Sequence, residues 1–249
     1  MKRYMLKLEY DGGAFCGWQR QKNGFTVQQA VEDSLERILG VKTHVEGSGR
    51  TDAGVHAAGQ IAHFDAETKI PPEKLKDAIN CYLPEGASVL WVRFAPEGFH
   101  ARFSAKRKTY VYKLYTGVTD HPLRDGRYYH EMYPVDVELM RAAAVYIVGE
   151  HDFSCFMASG SFVKDAVRTV YSVEVSERME EAQIVEIRVT GNGFLYNMVR
   201  IIAGTLLSVG KKRISPDDVK EIILKKDRTL AGVTLPAEGL YLYNVEYDV

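Results

Sequence analysis

Two hydrophobic periods alternate along this chain, and that alternation restricts the fold more than any other feature. Lys2 to Tyr10 alternates polar and apolar residues and stops at Asp11-Gly12-Gly13, the pattern of a strand closed by a turn. Thr26-Val27-Gln28-Gln29 has the form of a capping box. Val31, Leu35, Ile38 and Leu39 then recur at helical spacing until Gly40. Ile61 to Asp65 reads as a short strand. Pro72 opens a second helix carrying Leu75, Ala78, Ile79 and Tyr82, with Pro84 just beyond it. Ser88 to Phe94 is a strongly apolar strand. The first half is therefore β-α-β-α-β.

The second half has a similar rhythm. Lys108 to Thr116 is a strand with Tyr110, Tyr112 and Leu114 on one face, and Arg127 to Tyr133 reads as another. Asp136 can cap a helix carrying Leu139, Met140, Ala143 and Ile147, ended by Gly149. Val167 to Val175 and Ile184 to Thr190 alternate as a strand pair. A helix is expected from Phe194 onward, another from Ser215-Pro216-Asp217-Asp218, and a last strand from Leu240 to Tyr247. The expected fold class is α+β. Two α/β halves, residues 1–104 and 105–249, would join their sheets and leave a cleft between them.

Between the first helix and the Ile61 strand lies Gly47-Ser48-Gly49-Arg50-Thr51-Asp52-Ala53-Gly54-Val55-His56-Ala57. It sets one acid, Asp52, two residues from one permanent cation, Arg50, in a glycine-punctuated turn. Gly47, Gly49 and Gly54 allow backbone angles and close approaches that a Cβ would forbid. This is not a nucleotide-binding loop. A dinucleotide fingerprint needs glycine where Asp52 stands, and a phosphate-binding loop needs a Lys-Ser/Thr pair. A lone carboxylate suits a nucleophile or a general base. The plainer alternative is that Arg50 and Asp52 form a local ion pair that shapes the turn. A guanidinium beside a working carboxylate would keep it ionised, and Arg50 and Arg200 are the two candidates.

Composition excludes several classes. The N-terminus lacks the continuous apolar run of a signal peptide. The most apolar stretch, Met198 to Val209, is too short to span a membrane and is interrupted by Arg200. Three cysteines without metal-type spacing read as reduced thiols of a cytoplasmic protein. The seven histidines show no metal-ligand spacing, so no metal is expected. A net charge of −1, from 32 basic and 33 acidic residues, argues mildly against a nucleic-acid binder. The local distribution argues otherwise. Arg102, Lys106, Arg107, Lys108 and Lys113 follow one another with no acid among them, interleaved with Phe103, Tyr110 and Tyr112. Cations of this kind bind phosphates while aromatic faces stack on unpaired bases. A solvated strand edge that blocks aggregation would have the same composition.

Taken in order, further motifs add what spacing alone does not. They are Tyr10-Asp11-Gly12-Gly13-Ala14-Phe15-Cys16-Gly17-Trp18-Gln19-Arg20-Gln21, Thr26-Val27-Gln28, and Gly49 to Ala57. Phe99-His100-Ala101-Arg102-Phe103-Ser104-Ala105, Lys108 to Tyr112, His151-Asp152-Phe153, Phe194 to Arg200 and Gly239 to Leu242 follow. With these the chain resembles the tRNA pseudouridine synthase A family almost end to end. The resemblance implies that Asp52 is the catalytic aspartate and that Tyr110 stacks on the target base. It implies that Arg200 pairs with the aspartate, and that Arg50 helps to extrude the base or hold the site open. It further implies a largely antiparallel sheet with helices packed outside it, a homodimer, tRNA as partner, no cofactor, and uridines on the 3′ side of the anticodon stem-loop as targets. A tRNA-binding protein or RNA chaperone without catalysis would share the basic and aromatic features but have no need of Asp52. A carboxylate-based glycosidase would need a second acid across the bond, and no partner for Asp52 is evident.

Overall fold

The computed structural model describes residues 1–160, 163 and 165–248. The chain forms two compact units, Met1–Lys106 with Tyr241–Val249, and Arg107–Leu240.

In the first unit β1 (Lys2–Tyr10) is the inner strand that the alternation predicts. It pairs antiparallel on one side with β3 (His56–Ala66) and on the other with β4 (Ala87–Phe94). Tyr4, Leu6 and Leu8 are buried from it. The two-residue β2 (Glu46–Gly47) is antiparallel to β3, opposite His63 and Ala62. The final strand, β10 (Leu240–Glu246), runs parallel to β3 at Tyr241 and Leu242. Helix α1 (Val27–Leu39) starts where Thr26 accepts the Gln29 amide and ends at Gly40, whose φ is +72°. It buries Val27, Ala30, Val31 and Leu35. Helix α2 (Pro72–Tyr82) packs on β4, and its Asn80 exchanges two hydrogen bonds with the Val89 backbone, at 2.8 and 2.9 Å.

In the second unit β5 (Arg107–Thr116), β9 (Gln183–Gly191), β8 (Val167–Met179) and β7 (Gly149–Asp152) follow one another, each pair antiparallel. The three-residue β6 (Tyr129–Glu131) is parallel to β5. Asp136 caps α3 (Val137–Ala144) by accepting the Leu139 amide. Helix α4 (Met198–Gly210) packs against α3 and β5 and is buried along nearly all its length. Helix α5 (Asp218–Lys225) buries Val219, Ile222 and Ile223. Among the described residues there are thus five α-helices and a predominantly antiparallel set of strands, the α+β class expected from the pattern.

Two departures have physical causes. Helix α4 begins at Met198 instead of Phe194, because Asn197 takes the left-handed conformation (φ +59°) and cannot continue a helix backward. Strand β3 starts at His56, ahead of the expected Ile61. It is buried on both faces, so its first residues carry no polar–apolar alternation to read.

Candidate active site

Asp52 sits half-buried on the loop between β2 and β3. The loop is pinned on both sides. Ser48 donates its amide to the Ile61 carbonyl (2.7 Å) and its hydroxyl to Gln60 Oε1 (2.6 Å), and Gln60 donates to the Gly49 carbonyl (2.8 Å). On the other side the Thr51 hydroxyl shares a buried 2.8 Å hydrogen bond with the Tyr10 phenol, and the Thr51 carbonyl accepts the Trp18 amide at 3.0 Å. Asp52 accepts the Val55 amide on its own carbonyl (3.1 Å), which closes the turn beneath its side chain. Burial pushes the Tyr10 phenol up to about 12, while its bonds to Thr51 and Gln60 oppose the shift. It therefore stays protonated across the physiological range.

The segment after β1 fits this loop at backbone distance. A Cβ on Gly12 would lie 2.4 Å from the Val55 carbonyl group, and one on Gly17 would lie 2.6 Å from the Thr51 oxygen. Gly17 also has φ +83°, which side-chain-bearing residues rarely adopt. The Gly12 amide donates to His56 Nδ1 at 3.0 Å, and the His56 ring stacks on Tyr241 with centroids 4.5 Å apart. Asp52 thus projects from a turn whose backbone is fixed by neighbours from β1, β3 and β10. The ion pair that would have made this a plain structural turn does not form. Arg50 is exposed and, among the described residues, has no ion-pair partner.

Tyr110 and Arg200 lie in the second unit. Tyr110 is on β5 opposite Val189, 9% exposed, with its ring edge-on to Phe194 at 5.2 Å. Its neighbour Tyr112 is a core residue. Its phenol donates to the Pro236 carbonyl at 2.8 Å, and burial drives its pKa far above the usual tyrosine value. Arg200 is half-buried in the first turn of α4. Its Nε donates to the Leu235 carbonyl (2.6 Å) and its Nη1 to Asn197 Oδ1 (2.7 Å). The segment carrying Leu235 is itself held on α4, where Gly232 donates its amide to the Thr205 hydroxyl at 2.8 Å. Two fixed acceptors therefore orient the guanidinium plane.

Sequence spacing did not reveal one grouping. Glu46, His63 and His100 each place a ligand-type atom within 4.8 Å of the others. The register of β2 against β3 sets Glu46 opposite His63. The hydrogen bonds favour a proton network over a metal centre. His63 Nδ1 accepts the Ala101 amide (3.2 Å), and His100 Nδ1 accepts those of Arg102 (3.2 Å) and Phe103 (3.4 Å). An accepting Nδ1 leaves the ring proton on Nε2. His100 accordingly donates through Nε2 to Glu46 Oε2 at 2.6 Å. A cation bound at Nε2 would have to displace these protons and the backbone donors together. Burial lowers the pKa of His63, and His100 and Arg3 lower it further.

The family model described as tRNA pseudouridine synthase matches residues 8–104 and 143–248, which include Asp52, Arg50 and Arg200. Tyr110 falls between the two matched segments. The tRNA pseudouridine synthase A of Thermoanaerobacter sp. (strain X514) is 44% identical over 99% of this chain and 100% of its own length. That of Bacillus subtilis (strain 168) is 46% identical over 99% of both chains. A solved structure, an H/ACA RNP bound to a substrate RNA containing 2′-deoxyuridine, aligns over 83% of this chain and 44% of its own, at 13% identity and TM-score 0.39, too distant to carry an argument. The chain belongs to the tRNA pseudouridine synthase A family.

Proposed function

We propose that Asp52 is the nucleophile with which this tRNA pseudouridine synthase isomerises uridine on the 3′ side of the anticodon stem-loop. The observation that carries the proposal is the half-buried carboxylate on a turn fixed from both sides. The isomerisation breaks the N1–C1′ bond, rotates the base and joins C5 to C1′. The proton on C5 leaves and N1 gains one, so the balance needs neither an added electron nor a transferred group, and no cofactor is required. An ionised Asp52 can take C1′ as the base departs, assist glycal formation by proton loss at C2′, or add at C6.

The target uridine must leave its stack to reach such a group, at a cost of a few kcal/mol. Tyr110 is assigned the stacking surface that recovers part of this cost, and Arg200 the cation paired with the aspartate. Arg50, exposed and uncommitted to Asp52, is assigned to holding the base out or the site open. A homodimer working in the cytoplasm, without a metal, completes the reading. No helix among the described residues is long and apolar enough to cross a membrane.

The test is tritium release from unmodified tRNA carrying C5-labelled uridine, followed by mapping of the modified positions. Release, with pseudouridine confined to the anticodon stem-loop, is expected. Binding without release would favour the non-catalytic reading, and release from elsewhere in the tRNA would overturn the assigned target.

A further inference from the structure

The basic, aromatic segment after the first unit's last antiparallel strand is not uniform. Of its three aromatic residues Tyr110 and Tyr112 are buried, whereas Phe103 is 75% exposed. A phenyl ring so exposed is usually mobile, but this one stands on a fixed turn. Ser104 donates its amide to the His100 carbonyl (2.9 Å), and its hydroxyl accepts the His100 amide (3.0 Å). The Phe103 ring lies on the His100 ring, centroids 4.3 Å apart at 35°. His100 cannot turn away, because Nδ1 accepts two backbone amides and Nε2 donates to Glu46. The Glu46–His100 pair is thus a support beneath an exposed aromatic face.

One cation lies at the ring and a second follows it in the chain. The Arg102 guanidinium lies 5.6 Å from the Phe103 ring centre, and Lys106 follows, 3.4 Å from Asp248. Glu46 is engaged by His100. A flat apolar ring with a guanidinium beside it matches a polyanion that carries flat apolar rings. It does not match an apolar protein surface, which would bury the Arg102 guanidinium without a counter-charge.

We infer that Phe103, propped by His100, is a stacking platform for an unpaired base of the tRNA, with Arg102 and Lys106 contacting the adjoining phosphates. The inference rests on the tRNA reading above. Stacking serves binding and is separate from the chemistry at Asp52. A base–aromatic stack of this kind is worth about tenfold in affinity.

The experiment measures binding of unmodified tRNA at one fixed salt concentration for Phe103→Leu, Phe103→Tyr and Phe103→Trp. Thermal unfolding and light scattering are recorded on each variant. Phe103→Leu keeps apolar bulk but has no π face and should bind about tenfold more weakly, with a raised KM. The Tyr and Trp variants should bind like the parent, with unfolding and oligomeric state unchanged throughout. Parental affinity in Phe103→Leu would overturn the inference. So would a change of oligomeric state, which would make this face a contact between copies of the chain. A parent protein that releases no tritium from tRNA would defeat the functional reading itself. An active parent with an indifferent Leu variant would defeat only the stacking role.

Discussion

At the scale of single residues, the loop around Asp52 owes its stiffness to hydrogen bonds from groups behind it. The Tyr10 phenol is buried against Thr51 and ties β1 directly to the residue before Asp52. Tyr10→Phe leaves the buried Thr51 hydroxyl without that partner and should cost about 1–3 kcal/mol of stability. Urea unfolding checks this figure. Turnover should fall more than tRNA affinity, because the displaced group is the proposed nucleophile and not a phosphate contact. Arg200→Lys tests a different feature. It keeps the positive charge but loses the planar fork that meets Leu235 and Asn197 together. We expect kcat to drop with little change in KM. Unchanged kcat would reduce Arg200 to a point charge.

At the scale of elements, the turn after β1 approaches the Asp52 loop at backbone distance. Gly12→Ala puts a Cβ 2.4 Å from the Val55 backbone, so the two segments must separate. A loss of about 1–3 kcal/mol, of the size seen for overpacking, should appear in unfolding together with reduced turnover. His63, on β3, gives a pH dependence. Its pKa in the fold lies below the ordinary 6.5, chiefly through burial. The unfolded chain therefore binds the proton more readily. The contribution to stability is intact above about 6.5 and is lost as pH falls toward the depressed value. The unfolding midpoint should drop in that window, and His63→Gln should flatten the slope. Glu46 and Asp65 oppose the shift and keep it modest.

The same element scale shows what could be read from the amino acids alone. Strand β1 and helix α1 were legible because period, capping residue and stop signal all act within a few positions. The start of α4 was not, because it depends on one left-handed asparagine. Asp52 and its glycine-marked turn were legible as a candidate site. The groups that hold the turn were not. Gly12 against Val55, and Glu46 against His100, are contacts made by strand register between segments far apart in the chain. No local pattern encodes them.

At the scale of the whole molecule, a net charge of −1 means that the chain as a whole does not attract a polyanion. Grip on tRNA must come from local groups such as Arg102 and Lys106, so affinity should fall steeply with added salt. On the proposed reading holding and chemistry are separate: many cations would share the first task, and Asp52 would perform the second. The most direct measurement is therefore made on Asp52→Asn, which keeps the size and polarity of the side chain and removes its charge. Pseudouridine yield and tRNA affinity are determined on the same preparation. The account predicts no pseudouridine above background with affinity unchanged. Pseudouridine formed at the parental rate by that variant would contradict it.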